Sequence, residues 1–294
     1  MTTIAPPSPE SPAPPSPDPG SPSPRRRRWP VVVLALVALV VGAVGVVAVR
    51  YAERDRPEAV TSEEAVEEFR ATSSTAVAPT GFVVPAAGVY EAVGQGSARI
   101  SFPPNAMTDG PTMPVAVTYL PDGCWRWRIS YSTAAWHEYD FCPKGDELLL
   151  VAQRNFLSFD YGSFKVDNTA QYACDPPSPI VVESPVPGRS FDHQCVGENS
   201  AAPGRSVSAG PVTIIGTETL DIGGTSVPAI HQRRTQTMSG PQTGPVTEDW
   251  WFAADTGLPL KCERHQRIET SSPIGAITFT ADGSWQLTSM QPRT

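Results

Sequence analysis

The residues of this chain best suited to chemistry are five cysteines, at 124, 142, 174, 195 and 262, and four histidines, at 137, 193, 231 and 265. The histidines lie far apart and lack the spacing of metal ligands, so neither a metal nor a cofactor is expected. His137 reads as a core or rim residue. Ser190, Asp192 and His193 are neighbours in sequence, but a catalytic triad is assembled in space, and adjacency is no evidence for one. There is no G-x-S-x-G, no P-loop and no H-E-x-x-H. Glu248 and Asp249 are adjacent in a strand pattern, where successive side chains point to opposite faces, so they cannot readily share a substrate. No catalytic residue is assigned, and an enzyme is not expected.

The cysteines make better sense as cross-links. Residues 123–142 read GCWRWRISYSTAAWHEYDFC. Folded as a hairpin centred near Thr133, they set Trp125 against Phe141, Trp127 against Tyr139, Ile129 against His137 and Tyr131 against Ala135 on one face. The other face carries Arg126 with Asp140, Arg128 with Glu138, Ser130 with Trp136, and Cys124 with Cys142. Directly opposed residues are contact pairs, and a slip of one residue would scramble every one of them. The opposed cysteines predict a Cys124–Cys142 disulfide; the alternative is two buried free thiols. The turn STA lacks the glycine usually wanted in a three-residue loop. Of the remaining thiols, Cys174–Cys195 closes the shorter loop and would pin a proline-rich connection, at about 3 kcal/mol in the chain-entropy model. Cys262 is then the odd thiol, read as buried and inert on a strand; the alternative is a redox or intermolecular role.

Disulfides imply an oxidising compartment, and the N-terminal region agrees. Residues 1–28 begin with a Pro/Ser-rich stretch that has almost nothing to bury, and they predict a disordered cytoplasmic tail. Arg25 to Arg28 precede nineteen uncharged residues, Val31 to Val49, flanked by Trp29 and Tyr51. That length matches the hydrocarbon core, and the arginines hold their side in the cytoplasm. The reading is a transmembrane helix over 29–51, a single-pass anchor in the cell membrane with the N-terminus cytoplasmic and the C-terminal domain extracytoplasmic. A cleaved signal peptide is the weaker alternative, for want of a small-x-small site. Residues 51–294 hold 17 basic and 28 acidic residues, a balance that argues against nucleic-acid binding.

Residues 52–86 read as a linker with a short helix over 61–72, capped by Thr61 with Glu64 three residues on. Residues 87–292 form the exported domain, mainly β. The expected strands include GVYEAVGQGSARISF, two strands joined around Gly94 to Gly96, then VAVTYL, ELLLVAQ, NFLSFDYG and FKVDNTAQYAC. Residues 175–210, rich in Pro, Ser and Gly, read as a long connection, with room for a short strand around Phe191 to Cys195. Three hairpins follow, across Gly223-Gly224, Asp255-Thr256-Gly257 and Asp282-Gly283. The fold class is an antiparallel meander, a curved sheet or half-barrel, with one short helix.

The segment TEDWWFAADTGLPLKCERH resembles the strand–turn–strand of LolA/LppX-like lipoprotein carriers, and GTETLDIGGTSVPAIH is similar to the hairpin before it. The cysteine-bracketed hairpin and CDPP look like those of uncharacterised membrane-anchored actinobacterial proteins. The resemblance implies a curved sheet whose apolar concave face holds lipid chains in some members, and it brings no catalytic residues. The expected function is therefore binding of a lipid or other apolar ligand, or of an envelope protein, with Trp125, Trp127, Tyr139, Trp250 and Trp251 as candidate contacts. Alternatives from other classes are an envelope sensor or scaffold signalling through the proline-rich tail, and, as a third, an envelope hydrolase.

Overall fold

In a computed structural model of the chain, the described residues are 39–43, 45, 46, 49, 57–72, 76–79, 83–181, 184–273 and 275–294. They fall into two units, Met1–Ala48 and Val49–Thr294. In the first, residues 39–43, 45 and 46 are helical and exposed. The predicted tail, and most of the predicted span over 29–51, lie outside the described residues. Among the described residues, no helix is long and apolar enough to cross a membrane.

Among the described residues, the folded part of the second unit shows a short helix, α1 (Ser62–Thr72), and fourteen strands. These are β1 (Gly88–Tyr90), β2 (Ala92–Ile100), β3 (Asn105–Asp109), β4 (Val115–Tyr119), β5 (Trp125–Ser132), β6 (Ala135–Lys144) and β7 (Glu147–Asp160), then β8 (Lys165–Val181), β9 (Ser190–Asn199), β10 (Ala202–Ile222), β11 (Thr225–Ser239), β12 (Gln242–Ala253), β13 (Pro259–Ser272) and β14 (Gly275–Leu287). Helix α1 starts on a reciprocal cap. The Glu64 N–H donates to Thr61 Oγ1 at 3.2 Å, and the Thr61 N–H to Glu64 Oε2 at 2.8 Å. Its apolar face, Ala65, Val66 and Phe69, buries against Val89 and Ala116.

The strands form a single antiparallel sheet in the order β1-β4-β5-β6-β7-β8-β9-β10-β11-β12-β13-β14-β2-β3. Only Glu91 separates β1, at one end of that order, from β2, near the other. Residues 88–100 pair with 105–117 in one unbroken register, Gly88 with Val117, Val93 with Thr112 and Ile100 with Asn105. On its opposite side β2 pairs with β14, Ala92 with Leu287 and Ile100 with Phe279. The predicted curved meander is therefore present, and its two ends meet along this strand. Residues far apart in the strand order consequently touch across the interior: Trp127 on β5 lies 5.8 Å from Trp250 on β12 and 5.2 Å from Trp285 on β14, ring centre to ring centre.

The cysteine-bracketed hairpin has the predicted pairs from Trp125↔Phe141 to Ser130↔Trp136, and the Cys124–Cys142 disulfide closes it. Its aromatic face turns inward, and its Arg/Asp face turns outward into an ion-pair ladder in which Asp140 lies 2.7 Å from both Arg126 and Arg154. Burial works to raise the Asp140 carboxyl, but the two guanidiniums outweigh it and hold it below the usual carboxylate range. The tip differs from expectation. A bulge at Tyr131 pairs Ser132 with Ala135, which replaces the three-residue loop by a two-residue one.

Three further expectations are corrected. Gly94 to Gly96 do not turn the chain; they lie within β2. Residues 175–210 are not one long connection, because they supply the end of β8, all of β9 and the start of β10. The prolines of β8 survive there because β9 pairs only with residues 170–174, which leaves that end of the strand an edge on one side. Finally, Asp282-Gly283 is no turn. The chain reverses near Pro273, and Gly283 sits mid-strand in β14, paired with Arg264 on one side and Gly96 on the other.

Candidate functional site

Inside the curl, each strand repeats one sequence of inward side chains. On β13 it is Cys262, Arg264, Gln266 and Ile268. Facing them on β14 are Trp285, Gly283, Ala281 and Phe279, and beyond those on β2 are Gly94, Gly96, Ala98 and Ile100. On β6 the order is Phe141, Tyr139, His137 and Ala135. The interior is thus layered. A packed core of Trp125, Trp127, Phe141, Trp250 and Phe252, each at most 1% exposed, fills one end. A polar belt crosses the middle. An apolar collar, with Met107, Leu157, Phe159 and Phe279 in one cluster, surrounds the other end.

Between belt and collar lies a cavity of about 400 Å³, within the usual range for small-molecule sites. It exists partly because backbone stands bare there. Gly96 and Gly283 face each other, and a Cβ on Gly283 would come within 3.2 Å of the Gln95 carbonyl oxygen and 3.3 Å of Gly96 Cα. Ile100, Leu157, Ile277 and Phe279 line the cavity yet are only half-buried. Inward residues of a closed core would be fully buried, so solvent reaches the collar.

The belt is organised by Arg264. Its Nε donates to Glu248 Oε1 at 2.7 Å, and its NH2 lies 2.6 Å from the same oxygen. NH2 also donates to the Tyr139 hydroxyl at 2.9 Å, and NH1 lies 3.2 Å from His137 Nε2. Glu248 Oε2 accepts from Trp250 Nε1 at 2.9 Å, with Arg234 NH1 3.8 Å away. Burial works to raise the Glu248 carboxyl, yet Arg264 and Arg234 hold it below its ordinary value. Burial, with Arg264 beside it, pushes His137 well down, so the ring is neutral and Nε2 can accept from the guanidinium. Burial pushes the Cys262 thiol well up, and Glu248 adds to that. A thiol so held is a poor nucleophile.

Of the residues predicted as contacts, Tyr139 lines the cavity. Trp125, Trp127 and Trp250 pack in the core beneath it. Trp251 is on the outer face, stacked on His231 at 4.2 Å with Lys261 Nζ 4.1 Å from its ring. Sequence reasoning missed Arg264, Gly283 and Trp285. The turn at 255–257 held the signal: counting outward from it opposes Glu248 to Arg264, as observed.

Cys174 and Cys195 are joined, with His193 Nε2 3.2 Å from Cys195 Sγ. Burial, then Arg234, brings His193 down to about 4. Cys174, His193 and Cys195 are the one grouping among the described residues close enough to hold a metal ion. The disulfide takes up both thiolates that such an ion would need. Ser190, Asp192 and His193 do not converge: Asp192 is exposed while His193 is buried on the opposite face of β9.

No family model matches the chain, and no curated protein matches it. Among solved structures it is similar to the hypothetical lipoprotein YmcC from Escherichia coli (K12), at 13% identity over 69% of this chain and 85% of that one, with a TM-score of 0.34. That likeness is too slight to support a functional reading, which rests instead on the cavity itself.

Proposed function

We propose that the β unit binds a lipid-class apolar or amphipathic molecule in its interior cavity, at the extracytoplasmic face of a membrane to which residues 29–51 anchor it. One observation carries the reading: the sheet encloses a solvent-reached cavity with an apolar collar beside a fully packed core. The core already holds the fold together, so the cavity's unfilled apolar lining is surplus to stability and suits a ligand. The role is binding rather than catalysis. The one free thiol, Cys262, is buried and protonated, and Glu248 is occupied by its arginines.

The test uses the full chain and the uncharged fluorescent dye N-phenyl-1-naphthylamine. Wild type should bind and brighten it. Ala281→Phe, which projects a ring into the cavity from β14, should weaken binding by about tenfold, ~1.4 kcal/mol, with the far-UV spectrum unchanged. Dye binding that is indifferent to Ala281→Phe would count against the cavity.

A further inference from the structure

The polarity of the cavity runs from charged at its floor to apolar at its mouth. A carrier that holds a chain by its tail needs the reverse, with a greasy floor and polar groups at the rim. The spare hydrogen-bonding capacity of the floor shows what head would suit it. Arg264 spends Nε and NH2 on Glu248 and Tyr139, and one NH1 hydrogen on His137, which leaves a second NH1 hydrogen. The Tyr139 oxygen accepts from Arg264, so its own proton remains to be donated. His137 accepts at Nε2, which places its proton on Nδ1. Gln236, whose Oε1 accepts from Ser208, also lines the cavity and carries two amide hydrogens. Both oxygens of Glu248 are already engaged.

The buried arginines point the same way. Two buried guanidiniums, Arg234 and Arg264, share one ionised partner, Glu248, and Arg234 Nε and NH2 have no partner among the described residues. Asp109 also lines the cavity, its carboxyl raised by burial against the lowering effect of Arg264, and its Oδ1 has no hydrogen-bond partner among the described residues. The floor is therefore rich in donors.

We propose that the cavity takes a long-chain carboxylic acid head-first, with its carboxylate against Arg264, Tyr139 and His137 and its chain leaving through the collar past Leu157 and Phe279. This rests on the binding function proposed above. A carboxylate there gains charge-assisted hydrogen bonds that an alcohol or ester cannot match.

Two measurements on the wild-type full chain test it without any variant. The first compares displacement of the naphthylamine dye by oleate, oleyl alcohol and methyl oleate. Oleate should bind at least about tenfold more tightly than either neutral analogue. The second compares quenching of tryptophan fluorescence by 5-doxylstearate and 16-doxylstearate. Trp285 lines the floor, with Trp127 and Trp250 next to it, so the label near the head should quench more. Dye binding without a preference for oleate, or stronger quenching by the 16-label, overturns the head-first carboxylate and leaves the binding function standing. If neither the dye nor any oleyl compound binds, both fall.

Discussion

Replacing Glu248 by Gln is a near-isosteric change that removes, among the described residues, the only carboxylate bonded to Arg264 and the one paired with Arg234. Arg264 loses the negative charge on the oxygen that two of its nitrogens hold at 2.6 Å and 2.7 Å. Arg234, 2% exposed, loses the carboxylate 3.8 Å from its NH1. The glutamine amide also brings two hydrogens into a space already crowded with donors. Removing one partner of a buried ion pair costs about 3–5 kcal/mol, set against a typical total of about 5–15 kcal/mol. For a body of this size, that is a fall in Tm of roughly 6–20 °C at pH 7. The pH dependence supplies a second check. The Glu248 carboxyl is lowered in the folded state, so its contribution is present above the ordinary glutamate value of 4.5 and is lost as pH falls below it through the lowered folded value. The gap between wild type and Glu248→Gln should be full at pH 7 and should begin to close below about pH 4.5. Thermal unfolding followed by circular dichroism measures both. A variant within about 1 kcal/mol of wild type at pH 7 would refute the belt as a tightly coupled ion-pair network.

Other predictions follow from the thiols and the bare backbone. Ellman titration without reductant should find no reactive thiol in the native protein and one after denaturation, Cys262, rising to five once both disulfides are reduced. Native reactivity at Cys262 would mean that the cavity admits reagents past the belt. Gly283→Val should place a branched side chain between Arg264 and Gly96, lowering stability by about 1–3 kcal/mol through overpacking and abolishing dye binding; unchanged dye affinity would show that the ligand sits elsewhere.

Much of the sheet could be read from the chain because cross-strand chemistry is local. Arg126 with Asp140 and Trp127 with Tyr139 match only in one register, and that register is observed. The failures have a common cause. Asp282-Gly283 and Gly94 to Gly96 carry the same local signal as real turns such as Gly223-Gly224. What overrides them is distant: Gly283 and Gly96 oppose each other on the inner face, beside Arg264. Glycine is there to leave room, and no local rule distinguishes that from a need to bend. The misread glycines are the ones that open the cavity, so the errors and the site coincide. The end of β8, the full length of β9 and the start of β10 were hidden for another reason. Their prolines fall where a ladder is interrupted, as at Pro203 beside the register shift between Ala202 and Arg205, and only the finished pairing reveals such gaps.

The strand that joins the two ends of the sheet has a consequence for biogenesis. Residues 92–100 are among the first of the β unit to leave the ribosome, yet their lateral partner, 275–287, is among the last. Until then the nascent sheet keeps two open margins, the kind of surface on which foreign chains stack. A polypeptide of this design needs an escort, or speed, while it waits, because zipping the final strand demands the longest loop closure of any strand pair in the sheet. Cutting the chain before residue 275 would leave that margin permanently bare, and such fragments should accumulate as aggregates rather than as smaller folded bodies.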